Sequence, residues 1–210
     1  MEEQIINMPA VALRGLTILP GMIAHFDVSR ERSLRAIEEA MEQDQRIYLV
    51  TQKNLDREDP TQEDLYQMGI VADIKQVVRL QNDVVRILVD GIGRAKLLGF
   101  TGCEKYLEAE ICYFDSNKDS LPEDLREAML LGVREAFHRY AAVIGKISKE
   151  LIRQIDQYED LEKLIDYVTN NLPVSYELKQ QVLEAEDIND RYQVIVSLLL
   201  SQVEVISIKN

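Results

Sequence analysis

The side chains that could act as nucleophiles or bases do not fall into the spacing of a known hydrolytic site. The two histidines, His25 and His138, lie far apart in the chain, and the sequence contains no GxSxG motif. Adjacent carboxylates occur at residues 38–39 and 159–160, within charge-rich segments typical of solvated helix faces. A small hydrolase is therefore disfavoured, because nothing pairs a nucleophile with a base. We predict that this chain is not an enzyme.

The glycines and cysteines also give no cofactor or metal motif. Residues 90–96, DGIGRAK, contain a Gly-x-Gly and a lysine but no third glycine and no GxxxxGK[ST] pattern. We interpret these glycines as marking a bulge or bend within a sheet. Cys103 and Cys112 are not part of a CxxC pair, and nine residues of one strand would separate them by roughly 30 Å. We expect two reduced thiols, and no cofactor or metal in this chain.

Composition and charge exclude several classes of partner. The 210 residues carry a net charge of −13, with 46% hydrophobic residues and no Trp, so the core must be built mainly from Leu, Ile and Val. Lys and Arg do not cluster as a nucleic-acid backbone requires, and the acidic surface repels anionic membranes. No uninterrupted apolar run reaches the roughly 18 residues of a membrane span, and the N-terminus does not resemble a signal peptide. We expect no nucleic-acid partner, no membrane partner and a cytoplasmic location.

Periodicity divides the chain near residue 120. Before that point, period-two alternation predicts strands, for example over 22–28, 70–80 and 84–89, with a hairpin turn at 81–83. One helix interrupts them, starting after Ser29, with Leu34, Ile37 and Met41 as its apolar stripe. This pattern predicts a small β-barrel or sandwich.

The rest of the chain reads as helices. The polar, turn-rich segment 114–124 is the best boundary, which places the β domain at 1–117 and a helical bundle at 118–210. Ser120 and Glu123 fit a capping box before the first long helix. The last helix, from Asp187, is apolar on more than one face and reaches Asn210 without a capping residue. We therefore expect it to be truncated, so that the chain is part of something longer.

One apolar segment is a candidate binding surface. Residues 13–28, LRGLTILPGMIAHFDV, are too apolar for an ordinary loop, and Pro20-Gly21 predicts a turn in their middle. We predict that Ile18, Met22 and Ile23, near this turn, form a patch that binds unfolded polypeptide, to which a flexible Met is well suited. The alternative is that most of these residues belong to the core.

The same segment carries a family resemblance. Residues 13–41, LRGLTILPGMIAHFDVSRERSLRAIEEAM, resemble the opening of the N-terminal region of Lon-type ATP-dependent proteases. The resemblance continues, in order and at the right spacing, through RIYLVTQK (46–53), DPTQEDLYQMGIVADI (59–74) and RILVDGIGRAKLL (86–98). The pair His25-Phe26 departs from the commoner family pattern. The resemblance implies an α+β fold, in which a PUA-like β-barrel or sheet domain is followed by an all-α helical bundle.

The resemblance also implies a function. In the family this region recognises substrate and assists assembly, while a separate ATPase module holds ATP and Mg and a Ser/Lys protease module cleaves misfolded and regulatory proteins. We therefore expect a non-catalytic module whose partners are unfolded or degron-bearing proteins. We also expect self-association, as a dimer of this fragment and as a hexamer of the parent protein. The alternative is a stand-alone PUA-like protein that binds RNA or a small ligand, and the acidic charge opposes RNA.

Overall fold

The strand-rich and helical parts of the sequence form separate units in a computed structural model, which describes residues 4–113 and 121–210. The units run from Met1 to Lys118 and from Asp119 to Asn210. The position proposed for the domain boundary, between residues 117 and 118, lies outside the described residues. The α+β class, a β domain followed by a helical one, is confirmed.

The described part of the first unit contains six strands, one α-helix and a short 3-10 turn. In chain order its elements are β1 (Gln4–Leu13), β2 (Ile23–Val28), α1 (Glu31–Glu42), β3 (Arg46–Thr51), the 3-10 turn (Gln62–Asp64), β4 (Met68–Arg79), β5 (Val85–Phe100) and β6 (Glu108–Tyr113). The predicted hairpin turn between β4 and β5 is confirmed, with Asn82 and Asp83 both in the left-handed conformation that such turns favour.

The long strand β5 closes the sheet into a barrel. The strand order is β2-β5-β4-β3-β1-β6, and β5 additionally pairs with β6. One edge of β5 pairs with β4. The other edge pairs with β2 near the start of β5 and with β6 near its end. The β1–β3 pair is parallel, and the other pairs are antiparallel. β5 thus anchors β2 and, by pairing with β6, closes the barrel.

Alternation along the strands divides the apolar residues of the first unit into two clusters. Val11 and Leu13 of β1 join one cluster, which also takes Ile37 from α1, whereas the intervening Ala10 and Ala12 join the other. This division follows from the period of two, since successive side chains point to opposite faces. The first cluster fills the space between the sheet and α1.

Helix α1 buries Ile37 and packs Leu34 against the core as predicted, but its buried face is rotated away from Met41. Ser33, Ala36, Ile37 and Ala40 are buried, whereas Met41 is 37% exposed. The small residues at 36 and 40 let the helix approach the sheet closely, and the long Met41 side chain turns outward. The helix also begins later than predicted, with Arg30 rather than Ser29 at the N-cap and no side-chain cap.

The glycines of residues 90–96 bend β5 without ending it, as the sequence predicts. Ala72 pairs with Gly91 and Val71 with Gly93, so Ile92 is the extra residue of a bulge. Gly91 is also required by close packing, because a Cβ atom there would lie 2.5 Å from the Leu19 carbonyl oxygen. The strand therefore continues through the segment as one 16-residue element.

Replacing Gly91 with alanine is expected to destabilise the first unit by about 1–3 kcal/mol, since the added methyl overpacks a site that cannot expand. The backbone oxygen of Leu19 cannot swing away as a side chain would. Gly99→Ala, in the same strand, is the control, because its nearest neighbour, Gln62 Oε1, would lie at 3.6 Å. Urea denaturation of both variants checks this. Equal stability would show that the approach of Leu19 relaxes easily.

The second unit consists of five helices in its described part. They are α2 (Glu123–Ile144), α3 (Lys149–Gln157), α4 (Leu161–Asn170), α5 (Tyr176–Glu184) and α6 (Ile188–Lys209). Side chains of Ser148, Asp160, Ser175 and Asp187 cap α3 to α6 by accepting bonds from first-turn amides. α2 begins after Pro122, and the predicted capping residue Ser120 lies outside the described residues.

Burial along α6 falls from its start to its end. Ile195, Leu198 and Leu199 are buried in the bundle, whereas Val205 is 41% and Ile208 84% exposed. By length and composition alone, α6 could cross a membrane, a test that core helices of soluble proteins also pass. Polar residues such as Ser197 and Ser201 interrupt its apolar residues, so α6 is apolar on average without containing an uninterrupted apolar run of that length.

Candidate functional site

The predicted Pro20-Gly21 turn is present and is fixed to the barrel. The Met22 amide donates to the Leu19 carbonyl at 3.1 Å, and Gly21 has a φ of 78°, which is the pattern of a type II turn. The turn is held to β5 by two further bonds, from the Gly21 amide to the Gly91 carbonyl and from the Gly91 amide to the Met22 carbonyl, both 2.9 Å. The side chains next to the turn therefore project from a fixed backbone.

The three residues predicted for the binding patch occupy different environments. Ile18 is 1% exposed and belongs to the core between the sheet and α1. Met22 is half-buried and packs against that core, while Ile23 is 67% exposed at the start of β2. In this conformation the fully packed Ile18 side chain offers no contact area to a ligand. Met22 and Ile23 remain candidates.

A further apolar residue near the turn was missed from the sequence. Ile92 is 36% exposed and follows Gly91, the residue that exchanges backbone bonds with the turn. Its position between two glycines could have predicted its exposure, because such glycines mark a bulge and bulges often redirect a side chain. We call Met22, Ile23 and Ile92 the turn patch.

Charged groups border the turn patch along β2. Ile23 lies opposite Asp90 of β5, and Asp27 forms an ion pair with Arg86 at 2.8 Å. The hydrogen bond from Arg86 lowers the pKa of the Asp27 carboxyl below its ordinary value. Charged side chains beside exposed apolar ones are typical of a protein-binding surface.

The histidines and cysteines do not assemble a reactive site in the part of the chain that the structure describes. His138 Nε2 lies 2.7 Å from Asp156 Oδ1, as in the base half of a triad, but both side chains are more than 40% exposed. Neither histidine is hydrogen-bonded to a hydroxyl or thiol of the described residues, which also contain no cluster of metal-ligating side chains. Cys103 and Cys112 are thiols rather than a disulfide.

Comparison with known proteins identifies relatives along the whole chain. The family model of the ATP-dependent protease La (LON) substrate-binding domain matches residues 7–201. The chain is 36% identical over 209 residues to a Lon protease of Lachnoclostridium phytofermentans and 31% identical over 210 residues to Lon protease 1 of Bacillus subtilis. It is covered almost completely in both alignments (100% and 99%) but spans only 26% and 27% of those relatives.

Solved structures show the same fold. The N-terminal domain of a Mycobacterium avium complex Lon protease matches with a TM-score of 0.75 at 19% identity, covering 93% of this chain and 98% of that one. A Lon N-terminal domain protein from Xanthomonas campestris matches with a TM-score of 0.62 at 12% identity, covering 91% and 98%. At these identities the likeness concerns the fold alone, and the assignment to a family comes from the sequence matches. The chain belongs to the family of Lon protease substrate-binding domains.

Proposed function

We propose that this chain is a non-catalytic substrate-recognition module, which binds unfolded or degron-bearing proteins through the turn patch. The observation that carries the proposal is the exposure of Ile23, at 67%, beside a turn that is bonded to β5. A fixed scaffold loses little entropy when it binds, so even a small apolar patch gives measurable affinity. Met22 suits varied sequences because its side chain is flexible and polarizable.

The parent protein is inferred from the relatives. Since these are Lon proteases of which this chain spans about a quarter, we infer a parent that degrades misfolded and regulatory proteins in the cytoplasm. Its ATP, Mg and Ser/Lys protease chemistry would belong to modules outside this chain. A stand-alone PUA-like RNA- or ligand-binding protein is not favoured, because the family match covers residues 7–201 and the net charge is −13.

Titration of the isotope-labelled chain with a permanently unfolded protein, followed by NMR, tests substrate recognition. We expect a weak Kd of about 10–100 µM, because ordering a flexible ligand offsets much of the contact energy. Shifts should centre on the amides of residues 20–23 and 91–93. Shifts confined to other surfaces would contradict the assignment of the site.

The purified chain is expected neither to hydrolyse ATP nor to cleave an unfolded protein, because it has no nucleotide-binding motif and no paired nucleophile and base. A phosphate-release assay and gel analysis of an unfolded substrate check this. Activity that persists through rigorous purification and co-elutes with the chain would contradict the prediction.

Self-association is a second part of the proposal, and it concerns the end of α6. Val205 and Ile208 are exposed there, and Val203 and Ile206 are only partly covered. A groove of about 530 Å³ lies between α5 and α6, with Leu178 and Val194 among its lining residues. Apolar surface on a long helix is stabilised by burial against another surface, and a second copy supplies one.

The chain is therefore expected to form dimers in sedimentation equilibrium at high protein concentration. Ile208→Glu should shift the equilibrium toward monomer by introducing a charge into the contact. Leu131→Glu is the matched control, since Leu131 is 56% exposed on α2 and lies outside this region. A strict monomer over the whole concentration range would contradict the proposed role of α6.

A further inference from the structure

A cleft in the first unit, separate from the turn patch, combines cationic and apolar walls. It has a volume of about 650 Å³ and is lined by the end of β1, by the connection from β2 into α1 and by residues 58–60. Arg14, Arg30 and Arg32 supply its cationic groups, while Phe26 and Leu107 supply apolar surface. These three arginines share the cleft with four acidic residues, so the partners of each charged group decide what the cleft can bind.

The hydrogen bonds that these arginines donate go to neutral oxygens rather than to carboxylates. Arg30 donates to the side-chain oxygen of Gln52 at 2.5 Å, and Gln52, fully buried, donates to two backbone carbonyls. Arg14 donates to the Arg57 carbonyl at 3.3 Å, and Arg32 to those of Cys103 and Tyr106 at 2.9 and 3.2 Å. These acceptors are neutral, so they orient the guanidinium groups without neutralising them.

Four acidic residues, Asp27, Glu31, Glu58 and Asp59, also line the cleft, and two of them are held in ion pairs with other residues. Asp27 is bound to Arg86, and Glu31 to Arg35 at 2.5 Å. Glu58 and Asp59 form no ion pair with Arg14 or Arg30 in the part of the chain that the structure describes, and burial lowers the pKa of Arg30 below its ordinary value. Arg14 and Arg30 both line this cleft, so an anion bound in it would stabilise both guanidinium groups.

The start of α1 adds donors of a second kind. The first-turn amides of a helix have no acceptor within the helix, and α1 has no side-chain cap. Ser33, in this turn, is 4% exposed and lines the cleft, yet its hydroxyl has no hydrogen-bond partner among the residues that the structure describes. The Ser33 oxygen is not sealed from the cleft, so water or a ligand there can supply its hydrogen-bond partner.

We propose that this cleft binds a carboxylate group of the substrate polypeptide. The carboxylate receives bonds from Arg14, Arg30 and the Ser33 hydroxyl at the N-terminus of α1, while a neighbouring apolar side chain packs on Phe26 and Leu107. The fork of a guanidinium matches the two oxygens of a carboxylate. This inference rests on the proposed substrate recognition and adds a chemical preference to it. The carboxylate has two sources, the C-terminus of the polypeptide or an Asp or Glu side chain.

Three fluorescent peptides of one apolar sequence distinguish these sources by anisotropy. One has a free C-terminus, one is amidated, and one is amidated with a Glu near its end. We expect either carboxylate peptide to bind about tenfold more tightly than the neutral peptide, with an advantage that falls as salt rises. The tighter of the two identifies the source. Equal binding of all three would overturn the proposal.

Two variants of the full chain place the effect in the cleft. Arg14→Gln and Ser33→Ala should each remove most of the carboxylate preference, and circular dichroism should show an unchanged fold. Arg79→Gln, an exposed arginine on β4, is the control and should keep the preference. Preference retained in both cleft variants would overturn the proposal. If unfolded protein still shifts residues 20–23, the proposed function stands without the cleft, and if it does not bind at all, both fail.

Discussion

Replacing Ile23 with aspartate is expected to weaken the binding of unfolded polypeptide by at least about tenfold. Ile23 is the most exposed large residue of the turn patch, so the substitution places a charge where an apolar contact must be desolvated. Asp90 lies opposite on β5, so the like charges also cost the folded variant a little stability. The fold should survive, because the side chain is 67% exposed. Titration by NMR or anisotropy measures the change in Kd.

The matched control for this variant is Ile5→Asp. Ile5 is 63% exposed on β1, a strand that does not pair with β2, so it receives the same substitution on a different surface. We expect its Kd to remain within about twofold of the parent chain. Met22→Asp should also weaken binding, with some loss of stability because Met22 packs against the core. Equal binding by the Ile5 and Ile23 variants would exclude the turn patch as the contact surface.

Replacing Arg126 with methionine is expected to destabilise the second unit by about 2–3 kcal/mol near neutral pH. Arg126 of α2 and Glu162 of α4 are joined at 2.9 Å, with side chains 23% and 16% exposed. Removing the guanidinium leaves the largely buried carboxylate of Glu162 without its counter-charge. The partial exposure places the effect below that of a fully buried pair. Denaturation followed by far-ultraviolet circular dichroism measures the free energy of unfolding.

The penalty should depend on pH in a defined direction. Burial already raises the pKa of Glu162 above its ordinary 4.5, and Arg126 opposes that rise. Without Arg126 the pKa is higher still, so the folded state takes up a proton before the unfolded chain does. The penalty is therefore full above the raised pKa, shrinks as pH falls through it, and is smallest below about 4.5.

A double variant separates the charge from the shape of the Arg126 side chain. Arg126→Met with Glu162→Gln should recover most of the stability at neutral pH, because no ionised carboxylate remains to be buried. It should also lose the pH dependence. If the double variant is as unstable as Arg126→Met at every pH, packing rather than charge accounts for the loss.

Local patterns in the sequence were enough to predict the turns, the bulge and most element positions. Pro20-Gly21 and Asn82-Asp83 determine their turns through allowed backbone angles, which neighbouring residues alone decide. The face assignments were less reliable. Ile18 lies between the end of β1 and the turn, where no alternation defines an inside, and only the packing of α1 over it shows that it is buried.

The arginine cleft could not be predicted from local pattern. Arg14, Arg30 and residues 58–60 are separated in the chain, and only the barrel brings them to one cavity. The sequence showed Arg30 and Arg32 with Glu31 between them, an unremarkable mixture of charges. Glu31 pairs with Arg35 within α1, whereas Asp27 pairs with Arg86 of β5, and only the folded sheet reveals that second partner.

The pairing of β1 has a consequence for the order in which this chain acquires structure during synthesis. β1 is made first, yet its partners are β3 and β6, and Ile5 pairs with Cys112. Roughly 100 further residues must therefore leave the ribosome before the barrel can close, which takes about 5–20 s at about 5–20 residues per second. During that interval an apolar strand with unsatisfied edges is available to chaperones or to neighbouring nascent chains.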